Sequence, residues 1–149
     1  MSIFDELHAG LTAATEAATR EIAARVAQVI PADRVLALSG DLGAGKTTFV
    51  KGLAAAWGVR ETVTSPSFAV CNLHRGTRLL VHVDAYRLDG PGSWEALMVE
   101  DFLVSPWCLA VEWPERIAEI LPADTLWLDL AITRDGARTI RLRDAPGSA

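Results

Sequence analysis

The stretch Val35-Leu36-Ala37-Leu38-Ser39-Gly40-Asp41-Leu42-Gly43-Ala44-Gly45-Lys46-Thr47-Thr48 decides the fold. Its first four residues form a short continuous apolar run, which reads as a buried strand. Glycines then stand at 40, 43 and 45, and the segment from Lys46 to Trp57 reads as a helix stopped by Gly58. A strand that turns through glycines into a helix gathers backbone N–H groups and the positive helix end at one point, which makes an anion site. Gly43 and Gly45 supply backbone conformations and a close approach that a Cβ would block.

Gly40, Gly45, Lys46 and Thr47 stand at the spacing of the phosphate-binding P-loop pattern, G-x-x-x-x-G-K-[ST]. In that pattern the lysine reaches the β- and γ-phosphates and the hydroxyl binds Mg²⁺. A glycine turn without a ligand is the plain alternative, and the strand before and helix after it argue against that. Of fourteen Lys and Arg residues only Lys46 and Lys51 are lysine, so a lysine at 46 marks a site where a planar guanidinium does not serve. A P-loop also needs an acid at the end of a neighbouring strand. The apolar run Leu79 to Val83 ends in Asp84, and Cys108 to Val111 ends in Glu112. Either could be a solvated or capping carboxylate, but two in one chain suit a crevice at the carboxyl ends of parallel strands. Guanine-reading Asn-Lys-x-Asp is missing, since the single asparagine, Asn72, precedes Leu73. ATP is the expected nucleotide.

Outward from this centre, Ile3 to Ile30 is Ala-rich with Ile22, Val26 and Val29 at helical spacing, which predicts one amphipathic helix ending before Pro31. Residues Val59 to Asn72 contain Ser65-Pro66-Ser67-Phe68, and the proline points to an edge strand or ordered loop. Trp94 to Leu103 reads as a short helix with Ser93 as N-cap, and Pro114 suits the first turn of a helix reaching Leu121. Alternation over Leu126 to Ile132 and Arg138 to Arg143, around Asp135-Gly136, predicts a β-hairpin. The expected fold class is α/β: a P-loop NTPase-like three-layer sandwich, its sheet mostly parallel with a C-terminal antiparallel hairpin. Residues 1–149 are expected to form a single domain.

At 149 residues, 50% hydrophobic and 22% charged, the chain has the composition of a globular domain with its own core. A net charge of −5 disfavours a stand-alone nucleic-acid binder. Cys71 and Cys108 lack CxxC spacing, and His8, His74 and His82 are scattered, which argues against a structural zinc site and for a reducing compartment. With no apolar run near 20 residues and Asp5 and Glu6 close to the start, a cytoplasmic location is expected.

Four stretches in this order resemble the TsaE family, small P-loop ATPases of bacterial tRNA threonylcarbamoyladenosine synthesis. They are Gly40 to Phe49, Val63 to Phe68, His82-Val83-Asp84-Ala85-Tyr86-Arg87-Leu88, and Val111-Glu112-Trp113-Pro114-Glu115 followed by Leu121-Pro122. Ser67 stands where the family usually has threonine, and Val83 and Ala85 flank the aspartate in place of Phe and Leu. The resemblance implies that Leu42, Gly43, Ala44, Gly45, Lys46, Thr47 and Thr48 bind the nucleotide phosphates, with Lys46 also catalytic. It implies Thr47 and Glu112 on Mg²⁺, and Asp84 as a second acid near the metal or the attacking water. Ser65 to Phe68 would sense the γ-phosphate, with Ser67 supplying the hydroxyl, and an ordinary Ser/Pro turn is the alternative. Trp113 would lie beside the site, although a lone tryptophan reads first as core packing. Thr15, Thr19 and Ala137 align with places where family members approach the nucleotide.

Arg134, Arg138, Arg141 and Arg143 cluster in the hairpin, as a solvated strand face or as a contact for a partner or tRNA phosphates. The resemblance implies an ATPase, slow alone, that drives turnover of the TsaD and TsaB transferase complex. That complex modifies adenosine 37 of tRNAs reading codons that start with A, so tRNA would be met through the partners. A small-molecule kinase and a non-hydrolysing nucleotide-gated module are the rival readings.

Overall fold

A computed structural model describes residues 2–41, 43–60, 63 and 71–143. Leu42, the segment Ser65 to Phe68 and the Asp144-to-Gly147 end lie outside the described residues. The elements are α1 (Ile3–Ala9), β1 (Leu11–Ala13), α2 (Glu16–Val29), β2 (Arg34–Ser39), α3 (Lys46–Ala56), β3 (Cys71–Arg75), β4 (Leu79–Asp84), α4 (Pro91–Leu97), β5 (Trp107–Glu112), β6 (Leu126–Ile132) and β7 (Arg138–Arg143).

The seven strands form one sheet in the order β1-β7-β6-β2-β5-β4-β3. Its central four, β6, β2, β5 and β4, are parallel, and the hairpin β6–β7 adds an antiparallel margin as the alternation predicts. Strands β1 and β3 extend the sheet antiparallel at its two edges. Helices α1, α2 and α3 cover one face, packing Ile22, Val26, Phe49 and Leu53 on Leu36, Leu38, Leu80 and Leu128. On the other face Trp94 of α4, with Val99 and Ile117, packs on Val81, Val83, Leu109 and Val111. Alternate residues of each central strand thus feed opposite cores, which is why these strands read as unbroken apolar runs.

The single helix expected over Ile3 to Ile30 is instead α1, β1 and α2. Gly10, at φ +97°, returns its N–H to the Glu6 and Leu7 carbonyls and ends α1. Leu11, Thr12 and Ala13 then pair with Ile140, Thr139 and Arg138 of β7, so a distant strand overrides local helix propensity. Thr15 starts α2 by accepting a hydrogen bond from the Ala18 N–H.

The helix predicted over Trp94 to Leu103 is also displaced. Gly90 occupies the N-cap, Pro91 the first turn, and Met98 ends α4 in the left-handed region before a 3-10 turn at Val99–Phe102. After Pro114 the chain winds as a 3-10 helix to Ile120, interrupted at Ile117.

Helices α2 and α3 touch backbone to side chain at Gly52. A Cβ there would meet the Arg20 carbonyl oxygen at 2.5 Å and the Ala23 Cβ at 2.6 Å. This close approach fixes the N-terminus of α2 relative to the glycine loop at the start of α3. Cys108 is fully buried, its thiol pushed up to about 12 by desolvation, and neither cysteine is paired. No helix among the described residues is long and apolar enough to cross a membrane.

Candidate functional site

The carboxyl ends of β2, β4 and β5 meet at one edge of the sheet. Register sets Asp84 of β4 beside Glu112 of β5, and Glu112 beside Leu38 of β2, so both acids arrive next to the glycine loop. Gly45 caps α3 with φ +100° and Gly43 has φ +84°, left-handed backbone that admits few residues besides glycine. A cleft of about 610 Å³ opens above them. Its lining includes Gly43, Gly45, Lys46, Thr47, Thr48, Asp84 and Glu112 from this edge, and Thr15, Thr19, Gly136 and Arg138 from the opposite wall.

Lys46 is buried, only 4% exposed. Its Nζ donates to the Gly40 carbonyl at 2.5 Å and lies 3.8 Å from the centroid of the Trp113 ring. Burial holds its pKa below that of an ordinary lysine, while Glu112, Glu115, Asp84 and Asp41 pull in the opposite direction and favour the ammonium. The cation–π contact adds to that support. Trp113 is therefore not a core residue: it is half-buried, and its backbone sits at φ +57°, a left-handed conformation that costs a non-glycine residue about 1–3 kcal/mol. Its ring also packs tilted against Tyr86, at 5.1 Å between centroids. The left-handed backbone at Trp113 thus lays an indole on the loop lysine.

Thr47 donates its hydroxyl to Glu112 Oε2 at 3.2 Å, and His82 Nε2 meets the same oxygen at 2.5 Å. Asp84 lines the cleft and also caps the following 3-10 turn, its Oδ1 accepting from the Tyr86 N–H at 2.9 Å. The capping reading and the cleft reading of Asp84 thus both hold geometrically. Ser39 donates to Glu115, which anchors a further acid beside the loop.

The opposite wall brings Thr15 and Thr19 to the cleft. Ala137 is buried in the hairpin turn, and its neighbours Gly136 and Arg138 are the residues that line the space; Ala44 is likewise buried beneath the loop. Arg138 separates from the other hairpin arginines. Its Nε donates to the Gly43 carbonyl at 3.2 Å and its guanidinium to the Gly136 carbonyl at 2.7 Å, so it clasps the glycine loop to the hairpin. Arg143 instead pairs with Asp129 at 2.8 Å and lies over Trp127. Strand alternation sets Arg138 on the face of Ile140 and Leu142, opposite Arg141 and Arg143, and the turn before it is tied by the Thr133 hydroxyl, which accepts from the Ala137 N–H.

Helices on both faces of a sheet with a parallel centre, and a glycine loop with its lysine at the carboxyl edge, define an α/β protein of P-loop NTPase-like architecture. The family model described as "Threonylcarbamoyl adenosine biosynthesis protein TsaE" matches residues 13–140, and the chain belongs to that family. A tRNA threonylcarbamoyladenosine biosynthesis protein TsaE of Treponema pallidum is 36% identical over 115 residues, covering 77% of this chain and 85% of that protein. The protein of the same name from Streptomyces coelicolor is 42% identical over 112 residues, covering 73% and 76%. The crystal structure of Bacillus subtilis YdiB matches with a TM-score of 0.75 at 33% identity, over 91% of this chain and 84% of that one.

Proposed function

We propose that the chain is a Mg²⁺-dependent ATPase of tRNA threonylcarbamoyladenosine biosynthesis, which hydrolyses ATP to ADP and phosphate and thereby drives turnover of the TsaD/TsaB transferase. The observation that carries this reading is the convergence of Lys46, Thr47, Asp84 and Glu112 on one cleft over the glycine loop. Membership of the TsaE family and the names of its relatives supply the pathway.

In the proposed cycle the N–H groups of the loop and the N-terminus of α3 receive the phosphates. Lys46 exchanges the Gly40 carbonyl for β- and γ-phosphate oxygens, an exchange its three donors allow without loss of hydrogen bonding. The residues present fit magnesium: Thr47 and Glu112 offer hard oxygen donors a hydrogen bond apart. When bound, the ion would neutralise charge developing on the phosphate oxygens. Asp84, whose Oδ1 accepts from the Tyr86 N–H, would orient the attacking water. Net charge of −5 suits contact with tRNA through TsaD and TsaB rather than alone.

The test is to incubate the purified chain with ATP, with magnesium or with chelator, and to identify products. ADP and free phosphate formed only with magnesium are expected. Phosphate transferred to a small molecule would make the protein a kinase and defeat the proposal.

A further inference from the structure

Strand β4 runs Leu79-Leu80-Val81-His82-Val83-Asp84, and the alternation that buries Leu80 under α3 also buries His82, which is 0% exposed. An aliphatic side chain would satisfy such a position at no polar cost. His82 stands in register with Ala110 of β5, whose small side chain leaves room for the imidazole to lie along the strand toward Glu112, two residues further on. There its Nε2 meets Glu112 Oε2 at 2.5 Å. A carboxylate only accepts, so Nε2 carries the proton and donates it. The Nδ1 atom has no hydrogen-bond partner among the described residues, so the Glu112 contact is the only hydrogen bond that the imidazole makes there.

Glu112 Oε2 accepts from both His82 and Thr47, while Oε1 takes no hydrogen bond among the described residues. The two contacts differ in permanence. Thr47 lines the cleft and has a hydroxyl to give to a ligand; His82 lies in the core behind Glu112, away from any exchange with solvent. If the Thr47 hydroxyl turned to a cation, the imidazole would be the remaining hydrogen-bond tether on that carboxylate among the described residues.

We propose that His82 is a positioning residue: its Nε2–H pins Oε2 of Glu112 from inside the sheet and leaves Oε1 for the cation or its water in the cleft. This inference rests on the magnesium reading above. Histidine behind a carboxylate oxygen plays the part that outer-shell partners play at metal sites generally, where their loss weakens metal affinity or activity about 10–100-fold.

Two variants test it. His82→Leu removes the donor and keeps an apolar filling, whereas His82→Gln places an amide N–H at the reach of Nε2. The readouts are Mn²⁺ uptake by the ADP complex, followed by electron paramagnetic resonance, ADP affinity without divalent cation, and kcat against KM for ATP. Expected for His82→Leu is a loss of about tenfold or more in Mn²⁺ affinity and in kcat, with cation-free ADP affinity unchanged, and His82→Gln restores most of both. Wild-type Mn²⁺ affinity and kcat in folded His82→Leu would overturn the proposal. So would an equal loss of cation-free ADP binding, which marks general damage. If His82→Leu does not fold, His82→Gln decides: near-wild-type Mn²⁺ affinity supports the proposal, and a loss of about tenfold or a failure to fold overturns it. A wild-type ADP complex that takes up no Mn²⁺ would defeat the magnesium reading itself, a result distinct from any difference between variants.

Discussion

The two walls of the cleft are built in different ways. One wall is a continuous strand–loop–helix, Val35 to Ala56, joined by the ends of two adjacent parallel strands at Asp84 and Glu112. The other is assembled from residues more than a hundred positions apart: the start of α2, with Thr15 as its N-cap and Thr19 one turn in, and the β6–β7 hairpin, with Gly136 and Arg138. In the proposed function the first wall carries the groups that act on phosphate. The second carries the groups that hold the first in place, Arg138 on the Gly43 carbonyl above all. Charge chemistry is written locally, and support for it is written in long-range pairing.

The largest effect is expected on the first wall. Lys46→Ala removes the only loop ammonium and should lower kcat for ATP on the order of a thousandfold with the fold retained, checked by phosphate release and thermal melting together. Retained turnover would move the chemistry elsewhere. At the seam between the walls, Gly52→Ala forces a Cβ against the Arg20 carbonyl and Ala23, and a loss of about 3 kcal/mol in unfolding free energy is expected, read from urea denaturation. An unchanged midpoint would mean that α2 and α3 adjust freely, and that the second wall is not held as described.

On the second wall, Arg138→Ala frees the Gly43 carbonyl, and ADP affinity should fall by about tenfold, as expected for loss of a charged hydrogen bond, measured by calorimetry; Arg143→Ala, whose partner is Asp129, should leave it unchanged. Equal effects from the two would erase the distinction drawn between them. The smallest effect is Thr15→Ala, which loses the cap on the Ala18 N–H and should cost about 1 kcal/mol. The pH dependence sharpens the first wall again. Burial keeps the free Lys46 pKa below that of an ordinary lysine. The ammonium needed for phosphate is therefore lost earlier as pH rises, and the alkaline limb of kcat/KM should begin below the usual lysine range.

The same contrast explains what could be read before any coordinates. The run Val35 to Leu38, the glycines and Lys46 form a unit within one stretch of chain, and the apolar runs that end in Asp84 and Glu112 name their own strand ends. The central parallel strands and the hairpin follow from those patterns. Strand β1 does not, because Leu11 to Ala13 has helix-compatible residues and becomes a strand only through β7. A cue was present in Gly10 followed by Thr15, a helix stop and a helix start five residues apart. The displaced start of α4 has a similar cue in Pro91 after Gly90. In the site, Arg138 reads as one of four arginines crowded in the hairpin, although alternation sets it with Ile140 and Leu142 and opposite Arg141 and Arg143. His82 looked like one of three scattered histidines, since nothing in its own strand announces a carboxylate two residues along the neighbouring one.

The most direct test of the central claim is phosphate release from ATP by the wild-type chain and by Lys46→Ala, each with magnesium, TsaD, TsaB and tRNA, and with the wild-type chain also assayed alone. Slow release by the wild-type chain alone, a marked rise when the partners are added, and background release with Lys46→Ala are expected. Release by Lys46→Ala at the wild-type rate, or a wild-type rate indifferent to both magnesium and partners, would contradict it.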